Sequence, residues 1–128
     1  MYQTEWYVAN KVVLVTLSGD VTVKELAELN KSIVDDYLTG APNKVHLIIN
    51  GTDITKLPND LFGITKASKP LMDSPNIGSS IYVNFLNSIL GFLANAATQI
   101  VGQPYKMVKS MDEADAVLGN LGVAVVRS

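Results

Sequence analysis

The sequence predicts a single α/β domain over residues 1–128, ordered β-β-α-β-α-β-α-β-α, with a mostly parallel five-stranded sheet packed with four helices. Three observations predict it. An apolar pair of strands opens the chain. Apolar runs of strand length then alternate with stripes of helical period. The breaks between them are short and marked by Gly, Pro, Asn or Asp. Strands alternating with helices imply parallel pairing through right-handed crossovers.

Gln3 to Val8 is rich in aromatic and β-branched residues and reads as the first strand. Ala9-Asn10-Lys11 is a tight connection, because Asn tolerates the left-handed conformation of such turns. Lys11 to Ser18 is the second strand, apolar on both faces at Val12-Val13-Leu14-Val15 and therefore interior. Ser18-Gly19-Asp20 reads as a break. Thr22 and Glu25 have capping-box spacing. Val23, Leu26, Leu29, Ile33 and Tyr37 form one helical stripe, opposite Lys24, Glu28, Lys31 and Asp35, up to Thr39-Gly40.

Lys44 to Asn50 is the third strand, and Gly51 to Lys56 reads as a polar connection. Pro58 and Asn59-Asp60 open a second helix to about Met72, with Pro70 late in it. Ile77 to Phe85 is the fourth strand. Asn87 or Ser88 caps a helix to Val101, and Gly102 stops it. Tyr105 to Lys109 is the fifth strand. Ser110 and Glu113 repeat the capping-box spacing before a final helix to about Leu118. The Val123–Val126 tail reads as an added strand or a frayed end.

Composition excludes several functions. No cysteine is present, so disulfide frameworks, thiolate metal sites and a cysteine nucleophile are excluded. The formal net charge is -2 and no basic cluster stands out, against the footprint of a nucleic-acid binder. The N-terminus lacks the basic-then-apolar order of a signal peptide. The most apolar stretch, Ile89 to Val101, is interrupted by Asn95, Thr98 and Gln99 and is shorter than the ~20 residues that span a bilayer. The expectation is a cytoplasmic protein without membrane insertion.

Catalytic constellations find little support. His46 is the sole histidine, sits mid-strand among apolar residues and reads as structural. One histidine without cysteine argues against a transition-metal site. No Gly-x-Ser-x-Gly, Gly-x-x-x-x-Gly-Lys-Ser/Thr or Gly-x-Gly-x-x-Gly element occurs. The acidic group Asp112-Glu113-Asp115 begins a helix, where it complements the dipole. The expectation is no enzyme, no cofactor and no metal.

The element order, with three local stretches, resembles the STAS (sulfate-transporter and anti-sigma-factor-antagonist) fold. Val12 to Val21 resembles its second strand, ending in a Gly-Asp turn. Val45 to Gly51 resembles its third strand and following glycine. Tyr105 to Val108, followed by Ser110-Met111-Asp112-Glu113-Ala114, resembles its last strand and capped final helix. The resemblance implies a regulatory or protein-interaction module, of the kind found in bacterial signalling. It also implies an Asp-Ser-Ser-Gly type element after the third strand, where a serine is phosphorylated. Here the matching stretch is Thr55-Lys56-Leu57-Pro58-Asn59-Asp60, and the serine position falls on Leu57 or Pro58, which cannot carry phosphate. Thr52 and Thr55 offer the nearby hydroxyls.

Two surfaces follow as expectations. The first is an interaction surface of Asp53, Thr55, Asn59 and Asp60, together with Phe85, Leu86, Ile89, Leu90, Phe92 and Leu93. The helix following Phe85 is apolar or small almost all round, which suits either core packing or contact with a protein partner or a second copy, a homodimer through residues 85–101. The second expectation, a rival reading as a small-molecule or lipid-binding module, is a pocket lined by Trp6, Tyr7, His46 and Tyr82.

Overall fold

A computed structural model of the chain describes residues 1–58, 60–84 and 105–123. Its five strands are β1 (Tyr2–Val8), β2 (Val12–Asp20), β3 (Val45–Lys56), β4 (Ile77–Val83) and β5 (Tyr105–Val108). They form one sheet in the order β1-β2-β3-β4-β5. β1 runs antiparallel to β2, and every later pairing is parallel. The helices among the described residues are α1 (Val23–Ile33), α2 (Leu61–Met72) and α3 (Met111–Asn120). The helix expected from Asn87 or Ser88 to Val101 lies outside the described residues.

Each sheet face carries its own core. Val13, Val15 and Leu17 of β2, with Val45 and Leu47 of β3, pack against Leu29 and Ile33 of α1 and Leu71 of α2. Val12, Ile48, Ile81 and Val83 point the other way, onto Ala114 and Leu118 of α3. This explains why the middle of β2 is apolar at consecutive positions: a strand covered on both faces has no solvent side.

Bulges keep that two-sided packing in phase. Between Val45/Ile77 and Leu47/Ser80, β4 gains one residue over β3. An extra residue reverses the alternation of side chains beyond it. Ile77 therefore joins the α1/α2 core while Ile81 and Val83 join the α3 core. Along β3 the same device acts between Asn50 and Asp53, opposite Thr16 and Ser18, which turns Ile54 into the α1/α2 core.

Two expected breaks are continuous strand. β2 runs on through Ser18-Gly19-Asp20, since Gly19 takes φ +69° at no steric cost and the pairing resumes past it. β3 extends from Asn50 to Lys56, so Gly51–Lys56 is a strand and not a polar connection. Its polar alternation, with Ile54 as the inward residue, is the signature of a strand exposed on one face.

Both capping boxes place a hydroxyl on a helix start. The Glu25 N–H donates to Thr22 Oγ1 at 3.1 Å, and the Glu113 N–H to Ser110 Oγ at 3.2 Å. The Glu113 carboxylate also accepts from the Lys109 N–H at 2.6 Å. α1 continues through a π turn, Val34–Leu38, closed by the Thr39 N–H on the Val34 carbonyl at 2.9 Å. The wider turn brings Leu38 round to the buried face beneath Ile33, where a regular α-helix would rotate it away.

α1 and α2 are tied by a polar residue inside the apolar stripe. Asn30 is buried, and its Nδ2 donates to the Ala67 carbonyl at 3.1 Å. Replacing Asn30 by Ala should cost about 1–2 kcal/mol, the range for losing a buried hydrogen bond. Asn30→Asp should cost more, because a carboxylate would meet the same carbonyl oxygen without a donor. Urea denaturation checks both; an Asn30→Asp variant as stable as the parent would refute the buried bond.

Candidate functional site

The described residues expected around the start of the second helix are all exposed, but Asp53 and Thr55 alternate with Ile54 and point away from the sheet face that α2 covers. Asp53 and Thr55 are exposed positions of β3, on either side of the inward Ile54. They are therefore held rigidly in the sheet, Asp53 opposite Ser18 of β2. Asp60 is the N-cap of α2, and its Oδ1 accepts from the Gly63 N–H at 2.9 Å. Glycine is needed there: a Cβ on residue 63 would lie 2.5 Å from Asp60 Oδ2 and 3.1 Å from Val23 Cγ1. Leu57 packs against the α1/α2 core. Asn59 and the segment containing Phe85, Leu86, Ile89, Leu90, Phe92 and Leu93 lie outside the described residues.

Phe62 is a residue the sequence reading missed. It sits in the first turn of α2, two residues after the cap, and is 91% exposed. Ile64, Ala67 and Leu71 are the buried stripe of this helix, and Phe62 falls off their phase. That offset was the available signal: a large aromatic out of register with the apolar face of its own helix.

Of the hydroxyls near this surface, Thr52 is engaged. Thr52 Oγ1 donates to Asn50 Oδ1 at 2.6 Å and accepts from Asn84 Nδ2 at 3.0 Å. The Thr52 N–H also donates to Asn50 Oδ1, at 3.0 Å. Asn84 adopts φ +59° and donates its N–H to the Val108 carbonyl. The Asn50–Thr52–Asn84 cluster thus joins the middle of β3 to the carboxyl end of β4.

Trp6, Tyr7, His46 and Tyr82 do not converge on one pocket. Trp6 stacks edge-on against Tyr37, with ring centroids 4.9 Å apart, on the α1 side of the sheet. Tyr7, next in sequence, packs with the α3 core and donates its hydroxyl to Asp115 Oδ1 at 2.6 Å. Consecutive strand residues face opposite ways, and the bulge between Trp6 and Val8 then keeps Val8 on the α3 side with Tyr7. Tyr82 alternates with the α3-facing Ile81 and Val83 and so points to the α1/α2 side, three strands from Trp6. His46 alternates with Val45 and Leu47 and points to the α3 side.

His46 belongs to the β4 bulge. The extra residue there takes the Ser79 N–H out of the regular ladder, and His46 Nδ1 accepts it at 2.9 Å. The ring lies so close over Gly78 that a Cβ at that position would stand 2.5 Å from Nδ1. Nδ1 is thus an acceptor, and the neutral ring carries its hydrogen on Nε2. Partial burial holds the His46 pKa below the ordinary 6.5 by desolvating the charged form. An open cleft of about 320 Å³ lies elsewhere, at the C-terminal ends of α1 and α2, with Val34, Leu38, Pro70 and Pro75 among its apolar walls.

The sheet order and flanking helices can be compared with solved structures. The unphosphorylated form of the anti-sigma factor antagonist SpoIIAA superposes with a TM-score of 0.61 at 17% identity, covering 96% of this chain and all of that one. The fold is that of SpoIIAA. The phosphorylated form of the Bacillus cell-fate determinant SpoIIAA gives 0.56 at 16% identity, over 91% of this chain and 99% of its own. An uncharacterised Shewanella loihica protein of the DUF3478 family, with a SpoIIAA-like fold, gives 0.63 at 12% identity over 92% of both chains. No protein-family model matches the sequence, and no curated protein matches it either. The shared feature is therefore the SpoIIAA architecture, carried by a strongly divergent sequence. No helix among the described residues is long and apolar enough to cross a membrane.

The His46 bulge makes stability depend on pH. The folded pKa lies below the unfolded 6.5, so the unfolded chain binds the extra proton. The contribution is fully present above pH 6.5 and is lost as pH falls through that value towards the folded pKa. Urea midpoints at pH 8 and pH 5 should show this loss, and His46→Asn should remove that part of it. A His46 proton-resonance titration above 6.5 would contradict the geometry. Gly78→Ala should destabilise by roughly 1–3 kcal/mol, as overpacking does, and by clearly less when combined with His46→Ala. Equal costs in the two backgrounds would break the link between ring and glycine.

Proposed function

We propose that the chain is a non-enzymatic regulatory module of the STAS type, acting through protein–protein contact in bacterial signalling and without the serine phosphoswitch. The observation that carries this reading is Phe62. A large aromatic left 91% exposed beside a helix cap is of the type that anchors protein interfaces. Asp60, the exposed N-cap of α2, lies two residues before it. Aromatic anchors ringed by polar groups are the usual composition of an interaction hot spot.

The fold likeness supports the same reading. SpoIIAA is an anti-sigma factor antagonist that exists in phosphorylated and unphosphorylated forms. This chain has Leu57 and Pro58 at the positions matching the serine, and Leu57 serves the core. The contact surface is retained while the phosphate acceptor is not. Binding is then governed by partner concentration and competition, not by a phosphate on the loop.

Phe62→Lys tests the reading. Because Phe62 makes no core contact, its replacement should leave stability within about 0.5 kcal/mol, as for other surface substitutions. Cross-linking followed by mass spectrometry in the native host should identify a protein captured by the parent and lost in Phe62→Lys. Leu121→Lys, on an exposed position after α3, is the control and should retain it. Equal capture by parent and Phe62→Lys would refute the surface. Incubation with ATP and a host extract should leave Thr52 and Thr55 unmodified; phosphate on either would restore a switch.

A further inference from the structure

The outer edge of β1 is unpaired among the described residues, since β1 ends the strand order. Its hydrogen-bonding phase can be read from its first residues. The Ser18 N–H donates to the Met1 carbonyl and the Met1 amine to the Ser18 carbonyl, each at 2.9 Å. Met1 and Ser18 are thus a hydrogen-bonded pair of the antiparallel ladder. The register continues without a shift from Tyr2/Leu17 to Trp6/Val13. Hydrogen-bonded and non-hydrogen-bonded pairs alternate along such a ladder. Gln3 and Glu5 therefore bond inward to β2, while Tyr2, Thr4 and Trp6 aim their N–H and C=O groups outward at the free edge.

The residue pattern on this edge is symmetric about Thr4: aromatic, polar, Thr, polar, aromatic. We infer that β1 pairs with β1 of a second copy of this chain, antiparallel, about a two-fold axis at Thr4. This register uses all three outward-facing residues. Tyr2 meets Trp6 of the second copy, Thr4 meets Thr4, and Trp6 meets Tyr2. Aromatic–aromatic and Thr–Thr are favourable cross-strand pairs. Gln3 falls opposite Glu5 of the second copy in the closer, non-hydrogen-bonded pair, amide against carboxylate. Centring on Glu5 would oppose two carboxylates at that short distance. Centring on Gln3 would leave Trp6 without a partner.

Three further observations fit a second copy. Trp6, one of the few large apolar side chains exposed among the described residues, gains cover on its open side from Tyr2 of the other molecule. β1 is lightly protected as an edge: it has no Pro and no Lys, one charge at Glu5, and a bulge only at its far end. A two-fold contact is self-complementary, as a strand symmetric about one residue requires. The product is a ten-stranded sheet with α1 of both copies on one side. An edge-to-edge contact is small, so the dimer is weak and concentration-dependent.

Sedimentation velocity at low salt, up to the solubility limit, tests the inference. The parent should dimerise reversibly. Gln3→Glu places two carboxylates opposite one another twice per dimer and should raise the dissociation constant by about threefold or more, and Gln3→Lys should lower it by a similar factor. Gln3 is exposed, so neither change touches the monomer core. Thr4→Pro removes an outward N–H that β2 does not use and should abolish the dimer. Phe62→Lys should leave it unchanged, which separates this contact from the partner surface. A strict monomer, or a dimer indifferent to both Gln3 substitutions, would overturn the inference. So would a monomer that adds a foreign peptide to β1 in place of a second copy.

Discussion

Covering a single sheet on both faces is the constraint on which the rest of this structure depends. With α1 and α2 on one side and α3 on the other, β2 and β3 have no solvent face along their central residues. A slip of one residue would exchange the two cores. The register of β2, β3 and β4 is therefore fixed by packing, and each departure from it is a bulge that changes face deliberately. The Asn50–Asp53 bulge brings Ile54 inward and leaves Asp53 and Thr55 outward. The exposure of Asp53 and Thr55 is thus a consequence of the core.

The β4 bulge shows how such a device is stabilised. An extra residue in a parallel pair leaves a backbone N–H without its ladder partner, and a buried orphan of that kind is costly. His46 supplies an acceptor, and Gly78 supplies the room for its ring. The sole histidine, first in line as a candidate for chemistry, acts as a backbone acceptor, and that role requires it to stay neutral.

Much of the architecture was legible in the sequence because the strands are strongly patterned. The opening hairpin, the helical stripe from Val23 to Tyr37 and the two capped helix starts at Thr22 and Ser110 all occur where periodicity and capping place them. The length of β3 was not legible. Gly51 to Lys56 is polar and carries a glycine, and such a stretch resembles a connection until its pairing with β2 is known. The aromatic wall of Trp6, Tyr7, His46 and Tyr82 failed for a related reason. Trp6 and Tyr7 are consecutive in one strand and so face opposite ways, and the phase of Tyr82 against His46 depends on a bulge that single-strand patterns do not reveal. Phe62 was hidden differently, since an apolar residue beside an apolar stripe passes for part of it.

The divergence from SpoIIAA can be placed in the same physical frame. At 17% identity the likeness resides in strand order and two-sided packing. Sites that serve the core tolerate exchange among apolar residues, so they preserve architecture without preserving sequence. A phosphorylatable serine is different: it needs an exposed hydroxyl held at the start of a helix. Here that stretch is used structurally, with Leu57 packed against the α1/α2 core and Asp60 capping α2. A negatively charged cap already occupies the helix terminus that would favour a phosphate, and a second anion beside it would be repelled. A capping carboxylate and a phosphate would compete for one electrostatic position. In this chain the Asp60 carboxylate holds that position, and the helix it caps carries the exposed Phe62 in its first turn.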